Sequence, residues 1–442
     1  MPSSDDHLSR ASSPSQEHAF RRGPRITAIE TLIPFDIMGG LMLLRLHTDA
    51  GSVGGEPVIG HGETYYVPHA VAATLHDWMS RRLLGADATA IESHWRFLYE
   101  RGTAFGVRGC ELRALSAVDL ALWDILGQLT EQPVWRLLGG PVRDSIPVYN
   151  SCGGPTYGRR PYTAEGTIEP PTSGWPGHGD LGRPGPLEDN YNSIHNPGDL
   201  AEELLAEGYT AMKLWSLDRI YKQSGGHRIS WSDLDEGMKP FRAIRDRVGL
   251  KMEVMLDGHG FFTLPAALRI AEAMRELKPL WMEDVIRPDC VDTIADFRDR
   301  AGVPIAVSEM LVSREEYRLV LQRHAADYAM IDPTWVGGIS ETRRAAELAQ
   351  AFNVPALMHD CTGPLTLFAG LHVSAACANV TYQETVRAHI RTLYPLLIDQ
   401  PPVVQAGHIA LPTRPGLGVR LLNELFTPDH PGYRITRLSK VE

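Results

Sequence analysis

Eight short apolar segments, separated by helical patterns, constrain the fold of this chain more than any other feature of its sequence. They cover residues 147–150, 211–215, 251–257, 280–283, 305–309, 328–332, 356–359 and 381–384. Apolar residues recur at helical spacing over residues 265–277, 291–300, 314–322, 340–351 and 365–378. Buried parallel strands have nearly continuous apolar runs, and strict alternation with helices predicts a closed parallel barrel.

A different pattern precedes the barrel. Residues 25–33 and 41–48 have the composition of strands, with a turn at residues 48–51. Helical spacing follows over residues 67–82, 89–101 and 113–129. Strands followed by helices predict a separate α+β unit of about 120 residues.

Three segments fit neither pattern. Residues 1–24 are rich in polar residues and lack the apolar core of a signal peptide, which predicts a disordered tail. Two insertions, at about residues 153–197 and 216–231, follow the first and second barrel strands. Both should emerge on the carboxyl face of the barrel, where active sites lie. We expect the longer insertion to form a lid or a subunit contact, with a flexible surface excursion as the alternative.

The composition excludes several classes of function. The chain has 43 Lys and Arg against 54 Asp and Glu, and this net charge of −11 argues against nucleic-acid binding. It has no run of 18 apolar residues, which excludes a membrane-spanning helix. Its five cysteines show no CxxC spacing, so we expect neither a disulfide framework nor a cysteine zinc site, but a reducing, cytoplasmic location.

Three predicted strand ends carry carboxylates one strand–helix unit apart. Asp257, Glu283 and Glu309 are spaced by 26 residues each. Any one of them alone could be an ordinary surface acid, but parallel strands in a barrel end at the same rim, so the three should converge. Like charges do not stay ionised together in a low-dielectric site without a cation, and oxygen ligands favour Mg²⁺. The sequence therefore predicts a magnesium site.

The next three strand ends predict proton-transfer chemistry. Asp332 and His359 lie 27 residues apart and should be neighbours. A carboxylate behind an imidazole supports its charged form, which makes His359 a candidate general base, with a structural hydrogen bond as the alternative. Glu384 ends the eighth strand. It could bind a substrate oxygen opposite the metal, or it could be a polar residue that closes the barrel.

Three further side chains lie near these strand ends. Lys213 should point into the barrel mouth and neutralise a substrate carboxylate. His259, two positions after Asp257, should face the substrate opposite His359, or else support the metal ligands. Cys361 could be a thiol nucleophile, but packing is its expected role. Together the predicted groups fit removal of an α-proton, stabilisation of the enediolate, and protonation of a leaving β-hydroxyl.

The chain resembles the enolase superfamily, and within it the mandelate racemase-like subgroup, from about residue 25 to the C-terminus. The motifs that carry the resemblance are residues 114–124, 137–141 and 415–418 together with the predicted site residues. The resemblance implies a capping domain over residues 25–145 and a modified (β/α)7β barrel over residues 146–398. It also implies that residues 399–442 return to the capping domain. It assigns Mg²⁺ to Asp257, Glu283 and Glu309, and the base to His359 with Asp332.

One departure within this family narrows the expected reaction. Racemase-type members have Lys-x-Lys at the second strand, whereas Trp215 stands at the position of the second lysine. The sequence Asp257-Gly-His259-Gly is similar to the motif of galactonate dehydratase-type members, in which the histidine is the general acid. The resemblance therefore implies a dehydratase of a sugar acid, with His259 as acid and Lys213 as electrostatic partner.

Two other functions stay open. One is a cycloisomerase or epimerase that acts on a sugar acid or lactone at the same site. The other is a sugar-acid binding protein without turnover, which the intact set of site residues argues against. We expect a homo-oligomer, with no nucleic-acid or membrane partner.

Overall fold

Two β-sheets organise the chain in the computed structural model, which describes residues 23–155 and 182–439. The tail predicted at residues 1–24 lies almost wholly outside these ranges, as does the larger part of the 153–197 insertion. No helix in the described part of the chain is long and apolar enough to cross a membrane.

The N-terminal sheet is antiparallel and forms the capping domain with the helices that follow it. Its first three strands are β1 (Ile26–Leu32), β2 (Leu41–Thr48) and β3 (Ile59–Tyr65). The helices are α1 (Phe35–Met38), α2 (Pro68–Ala73), α3 (Ser80–Leu83), α4 (Ile91–Gly102), α5 (Cys110–Leu129) and α6 (Val134–Leu137). A π-helical turn, Thr74–Met79, joins α2 to α3, so the helix predicted at residues 67–82 is continuous.

Strand β3 was not expected from the sequence, because two glycines and three charged or polar residues hide its pattern. These glycines are required by the close approach of α5. A Cβ at Gly60 would lie 2.2 Å from the carbonyl oxygen of Ala121, and one at Gly62 would lie 2.0 Å from that of Ala117. Only glycine lets the helix backbone pack this closely against the strand.

The second sheet is the predicted barrel of eight parallel strands. Its strands are β4 (Ser145–Ser151), β5 (Ala211–Leu214), β6 (Glu253–Asp257), β7 (Trp281–Glu283), β8 (Ile305–Val307), β9 (Tyr328–Ile331), β10 (Ala356–Met358) and β11 (Val380–Thr385). Parallel pairing of β11 with β4, with Gln383 opposite Val148, closes the barrel. The prediction of a closed parallel barrel is therefore confirmed.

Helices connect successive barrel strands, and one more helix follows β11. They are α7 (Asp189–His195), α8 (Pro197–Ala206), α9 (Asp218–Ser224), α10 (Trp231–Val248), α11 (Leu264–Arg275), α12 (Val291–Ala301), α13 (Ser313–Gln322), α14 (Gly338–Ala351), α15 (Pro364–Ala376) and α16 (Arg387–Thr392). The described end of the first insertion contains α7, and the second insertion contains α9. Short 3-10 turns occur at Thr103–Phe105, Gly249–Lys251, Tyr394–Leu396 and Asn423–Leu425.

The C-terminal segment joins both sheets. A hairpin of β12 (Val404–Gln405) and β13 (His408–Ala410) pairs antiparallel with the start of β4. Strand β14 (Tyr433–Arg437) then pairs with β1 and completes the capping sheet in the order β14-β1-β2-β3. The expected return to the capping domain is confirmed at β14, and the barrel hairpin before it is an addition to that expectation.

Candidate active site

The barrel interior explains how the strands position the predicted site residues. One buried layer fills the barrel, with a side chain from seven of its strands: Tyr149, Ala211, Met255, Trp281, Ala306, Met330 and Leu357. Side chains two residues apart on a strand point to the same side. The residues two positions further on therefore lie directly above this layer, at the carboxyl end of the barrel. They include Lys213, Asp257, Glu283, Asp332 and His359.

The three predicted metal ligands are buried at this end of the barrel. Asp257 and Glu283 are register partners on β6 and β7. Glu309 follows β8, two residues beyond its end. Although Lys213 opposes the shift, burial and then the charges of Asp257 and Glu309 raise the pKa of Glu283 to about 8. The structure thus brings the predicted acids together.

Lys213 lies inside this group of acids rather than at its surface. Its Nζ is 3.3 Å from Asp257 Oδ2 and 2.9 Å from Glu384 Oε1, and it donates a hydrogen bond to Glu283 Oε1. Burial opposes the ammonium charge, but Glu283 and Glu384 raise the pKa of Lys213 well above its usual range. The side chain enters the mouth as expected, but the charges that it neutralises in this structure are those of the protein's own carboxylates.

The donor set at this site fits a hard divalent cation. Asp257, Glu283 and Glu309 offer only oxygen atoms, the ligands that Mg²⁺ prefers. Glu309 Oε2 is buried and has no hydrogen-bond partner among the described residues. A buried carboxylate oxygen without a donor is costly unless a cation compensates it. The nearby cations Lys213 and His259 do not balance these three carboxylates, because Lys213 also contacts Glu384 and His259 also contacts Asp218.

Asp284 adds a further acid, which the sequence analysis missed. It follows Glu283 directly, is buried, and accepts a hydrogen bond from the Ser308 hydroxyl. Burial, followed by the charge of Glu309, raises its pKa well above the usual range. The adjacent Glu-Asp pair at the end of β7 was the signal that could have identified it.

His359 and Asp332 form the predicted dyad. His359 Nδ1 lies 2.7 Å from Asp332 Oδ2, and the other oxygen of Asp332 accepts from the backbone N–H and the hydroxyl of Thr334, at 2.7 and 2.8 Å. This arrangement directs His359 Nε2 away from Asp332 and toward Glu384, whose Oε2 is 3.8 Å away. Burial opposes the imidazolium, but Glu384 and Asp332 raise the pKa of His359 well above its usual range.

Glu384 lies between the dyad and Lys213. Its Oε1 contacts Lys213 Nζ, and its Oε2 accepts a hydrogen bond from the backbone N–H of Asp360 at 3.3 Å. Although burial opposes ionisation, Lys213 and His359 lower the pKa of Glu384 to about 2. Its contacts are with protein groups on both sides of the barrel closure, and both predicted roles of this residue, binding a substrate oxygen and closing the barrel, stay predictions.

His259 lines the same cleft as His359 and is paired with an acid that was not expected from the sequence. Its Nδ1 is 3.1 Å from Asp218 Oδ1, and its Nε2 is 3.4 Å from Asp257 Oδ2. Burial opposes the charge, but Asp218 and Asp257 raise the pKa of His259 to about 9. Asp218 is at the start of α9, inside the second insertion, where no periodicity of the barrel could have indicated it.

A cleft that is partly open to solvent joins these groups. Its barrel side contains Asp257, His259, Glu309 and His359, and Trp215 packs against His259 with ring centroids 5.6 Å apart. Trp215 therefore faces the substrate space, as its position relative to the racemase lysine implied.

Cys361 also lines the cleft, in contrast to the packing role expected for it. Its Sγ is 3.4 Å from Glu384 Oε1. The ligand atoms of His359, Cys361 and Glu384 approach one another within 4.8 Å. Burial, followed by the charge of Glu384, raises the pKa of the Cys361 thiol to about 12. A neutral thiol is a poor metal ligand and a poor nucleophile, so this cluster does not compete with the all-oxygen set.

The capping domain contributes Tyr66 and Arg113 to the same cleft, and Trp335 extends its wall from the loop after β9. None of the three was expected from the sequence. Residues 33–40 join β1 to β2. In the structure that segment contains α1, and the ring of Phe35 stacks on His430 with centroids 6.2 Å apart.

Family models match most of the described chain. Residues 198–425 match the model described as enolase C-terminal domain-like. Residues 19–139 match the N-terminal domain of mandelate racemase and muconate lactonizing enzyme. The first match covers the barrel from α8 onward, and the second covers the capping domain.

Curated relatives are similar over most of their length. An arabinonate dehydratase of Saccharolobus solfataricus is 26% identical over 83% of this chain and 86% of its own. A D-galactonate dehydratase family member of Streptomyces bingchenggensis is 29% identical over 91% of this chain and 95% of its own. A D-xylonate dehydratase of Haloferax volcanii is 28% identical over 86% of this chain and 83% of its own.

Solved structures are also similar to this chain in fold and in sequence. An enolase of the mandelate racemase subgroup from Agrobacterium tumefaciens is 31% identical, with a TM-score of 0.77 over 94% of this chain and 100% of that chain. An enolase protein from environmental sequencing of the Sargasso Sea is 34% identical, with a TM-score of 0.79 over 95% of this chain and 100% of that chain. The fold, the site and these matches together place the chain in the enolase superfamily, within its mandelate racemase subgroup.

Proposed function

We propose that the protein is a Mg²⁺-dependent dehydratase of a sugar acid, an aldonate or an aldarate. It would remove the α-proton, expel the 3-hydroxyl as water and yield a 2-keto-3-deoxy acid. The observation that carries the proposal is the pair of imidazoles in one cleft, His359 and His259, each with its own carboxylate partner. A dehydration needs one group that accepts a proton and another that donates one.

The metal site would set the position of the substrate. Asp257, Glu283 and Glu309 would hold Mg²⁺, which when bound supplies Lewis-acid polarisation of a substrate carboxylate. Family membership implies a divalent metal in general, and the all-oxygen donor set favours Mg²⁺ in particular. Lys213 contributes by neutralising Glu283 and Glu384, so that the buried acids do not repel an incoming carboxylate.

His359 would remove the proton from C2. Because Asp332 occupies Nδ1, the nitrogen available to accept a proton is Nε2. The charge of Asp332 and Glu384 stabilises the imidazolium that forms. The electron pair of the C2–H bond then delocalises onto the substrate carboxylate as an enediolate.

His259 would complete the elimination. Asp218 holds Nδ1 and keeps the ring protonated, so the departing hydroxyl takes its proton from Nε2. The C3–O bond breaks, water leaves, and the C2–C3 enol forms. Tautomerisation of that enol, with a proton added at C3, gives the 2-keto-3-deoxy acid.

The relatives support this reaction class. Two of them are named arabinonate and D-xylonate dehydratase, and a third belongs to the D-galactonate dehydratase family. Identities of 26% to 29% do not assign a substrate. The proposal therefore names the reaction and the class of acid, not one sugar.

The test is a mass-spectrometric screen for loss of water. Purified protein with Mg²⁺ is offered a panel of aldonates and aldarates beside a His259→Asn variant. We expect one stereochemical class to lose water, and the variant to lose this activity while it still exchanges the α-proton in D₂O, because His359 is intact. Deuterium uptake or a ring-opened lactone without dehydration in the wild type would instead favour the epimerase or cycloisomerase. No exchange on any bound acid would indicate a binding protein.

A further inference from the structure

Arg113 places a positive charge on the capping-domain side of the cleft. It lies in the first turn of α5 and lines the same space as His259 and His359. Its guanidinium carbon is 4.3 Å from the ring centroid of Trp335 and 5.5 Å from that of Tyr66. Two aromatic rings therefore contact the guanidinium group.

This position is electrostatically unfavourable without an anionic partner. The first turn of a helix is the positive end of its dipole, where a cation is destabilised. Burial lowers the pKa of Arg113 to about 10, even though the charge of Asp332 opposes this. Among the described residues no carboxylate forms an ion pair with Arg113; its hydrogen bond goes from Nη1 to the carbonyl oxygen of Tyr65, at 2.8 Å. A guanidinium has five N–H donors, so most of them remain for a ligand.

The surroundings of Arg113 connect it to the reaction centre. The indole of Trp335 contacts both Arg113 and the ring of His359, whose centroid is 5.2 Å away. The cation and the base therefore both contact one aromatic side chain. Tyr66 and Val67, which follow the carbonyl that Arg113 binds, have left-handed backbone angles, with φ of 69° and 45°. Backbone strain of this kind concentrates at functional sites.

We propose that Arg113 binds the distal carboxylate of a dicarboxylic sugar acid, so that the enzyme prefers aldarates to aldonates. The inference rests on the proposed function and restricts its substrate class from aldonates and aldarates to aldarates. The metal site takes the reacting carboxylate at the barrel end, and the guanidinium receives the second carboxylate at the capping end. An arginine matches a carboxylate with two parallel N–H···O bonds, which a hydroxymethyl group at the end of an aldonate cannot form.

A purely structural role for Arg113 predicts a different result. If the side chain only tethered the Tyr65 carbonyl, its loss would affect all substrates equally. A matched control exists in Arg45, also in the capping domain. Arg45 Nη2 donates to the carbonyl oxygen of Leu421 at 2.9 Å, and its guanidinium carbon lies 3.8 Å from the Phe426 ring centroid.

The experiment compares Arg113→Met, Arg113→Lys and Arg45→Met on matched aldarates and aldonates. We expect Arg113→Met to lower kcat/KM for the aldarate about 30- to 100-fold, mainly through KM, as for loss of a charge-assisted pair. Aldonate turnover should change less than about threefold. Arg113→Lys should restore part of the aldarate activity, and Arg45→Met should leave the aldarate preference unchanged. A wild type that prefers aldonates, or an equal loss on both substrates, would overturn the inference.

A binding measurement separates this inference from the proposed function. Calorimetric titration of a His359→Asn variant with aldarates and aldonates needs no turnover. Tighter aldarate binding that disappears when Arg113→Met is added would uphold the role of Arg113, even if no acid were dehydrated and the proposed reaction failed. Dehydration of aldonates without Arg113-dependent binding of aldarates would uphold the reaction and reject the inference.

Discussion

His359 depends on Asp332 for both its orientation and its charge. The 2.7 Å contact fixes Nδ1, and the two bonds from Thr334 fix Asp332 itself. We expect Asp332→Asn to lower kcat about 10²- to 10⁴-fold, because a neutral amide neither sets the required tautomer nor stabilises the imidazolium. The rates of α-proton exchange and of dehydration should fall together, and both can be followed in D₂O.

Asp327 provides a control at the opposite end of the same strand. It precedes β9 and accepts hydrogen bonds from Arg298 Nη2 at 2.7 Å and from the backbone N–H of Ile305 at 2.9 Å. Asp327→Asn should lower stability but leave kcat within about twofold, since function lies at the carboxyl end of a barrel. Unchanged kcat in Asp332→Asn, or an equal loss in both variants, would contradict the role assigned to the dyad.

Sequence reasoning identified the residues whose position repeats with the barrel, and missed those that do not. Asp257 and Glu283 end apolar strands one strand–helix unit apart, so spacing alone indicated that they meet. Asp218 contacts His259 from an irregular insertion, and Arg113 lines the cleft from a capping helix. No local pattern encodes such contacts, because they depend on how distant elements pack.

At the scale of elements, the packing of α5 on β3 sets the position of the cleft's capping side. Helix α5 carries Arg113, and Gly60 and Gly62 let β3 lie directly against its backbone. The same glycines explain why β3 was missed, whereas strands with continuous apolar runs were found within a few residues of their bounds. Glycines that allow close packing have no side chain, so they leave no hydrophobic pattern in the sequence.

We expect Gly62→Ala to destabilise the protein by about 1–3 kcal/mol or more. The added Cβ would lie 2.0 Å from the carbonyl oxygen of Ala117, and a backbone atom cannot move without shifting the whole of α5. Urea unfolding would measure the loss. Gly51→Ala is the control, because no heavy atom lies within 4 Å of its added Cβ, and it should stay within about 0.5 kcal/mol of the wild type. Equal stability of the two variants would contradict this account.

At the scale of the whole molecule, self-association stays a prediction. Strand β14 is at one edge of the capping sheet and offers unpaired backbone groups on its outer side. Light scattering should give a mass that is a multiple of the 48.9 kDa chain. A mass of one chain over a wide concentration range would reject the expectation.

His372 on α15 links this helix to α6 and to the C-terminal segment. The packing of these three parts should therefore be sensitive to acid. The Nδ1 of His372 accepts a hydrogen bond from the backbone N–H of Trp135 at 3.1 Å, and its Nε2 donates to the carbonyl oxygen of Leu417 at 3.1 Å. Burial lowers the pKa of His372 to about 4, although Asp124 on α5 opposes this effect. Protonation of Nδ1 would break the bond to α6, so the folded state requires the neutral ring.

The sign of the pH effect follows from the lowered pKa. An unfolded histidine has a pKa of about 6.5, so between that pH and about 4 the unfolded chain binds a proton that the folded chain does not. The stability that His372 contributes is therefore present above about pH 6.5 and is lost as the pH falls toward 4, by up to about 3 kcal/mol.

Urea unfolding at pH 7.5 and pH 5 can isolate this contribution, because other buried groups affect wild type and variant alike. His372→Gln keeps an acceptor and a donor but does not titrate, so its unfolding free energy should fall less between the two pH values than that of the wild type. His227→Gln replaces an exposed histidine and should retain the wild-type difference. If His372→Gln lost as much stability on acidification as the wild type, His372 would not be a source of the acid sensitivity.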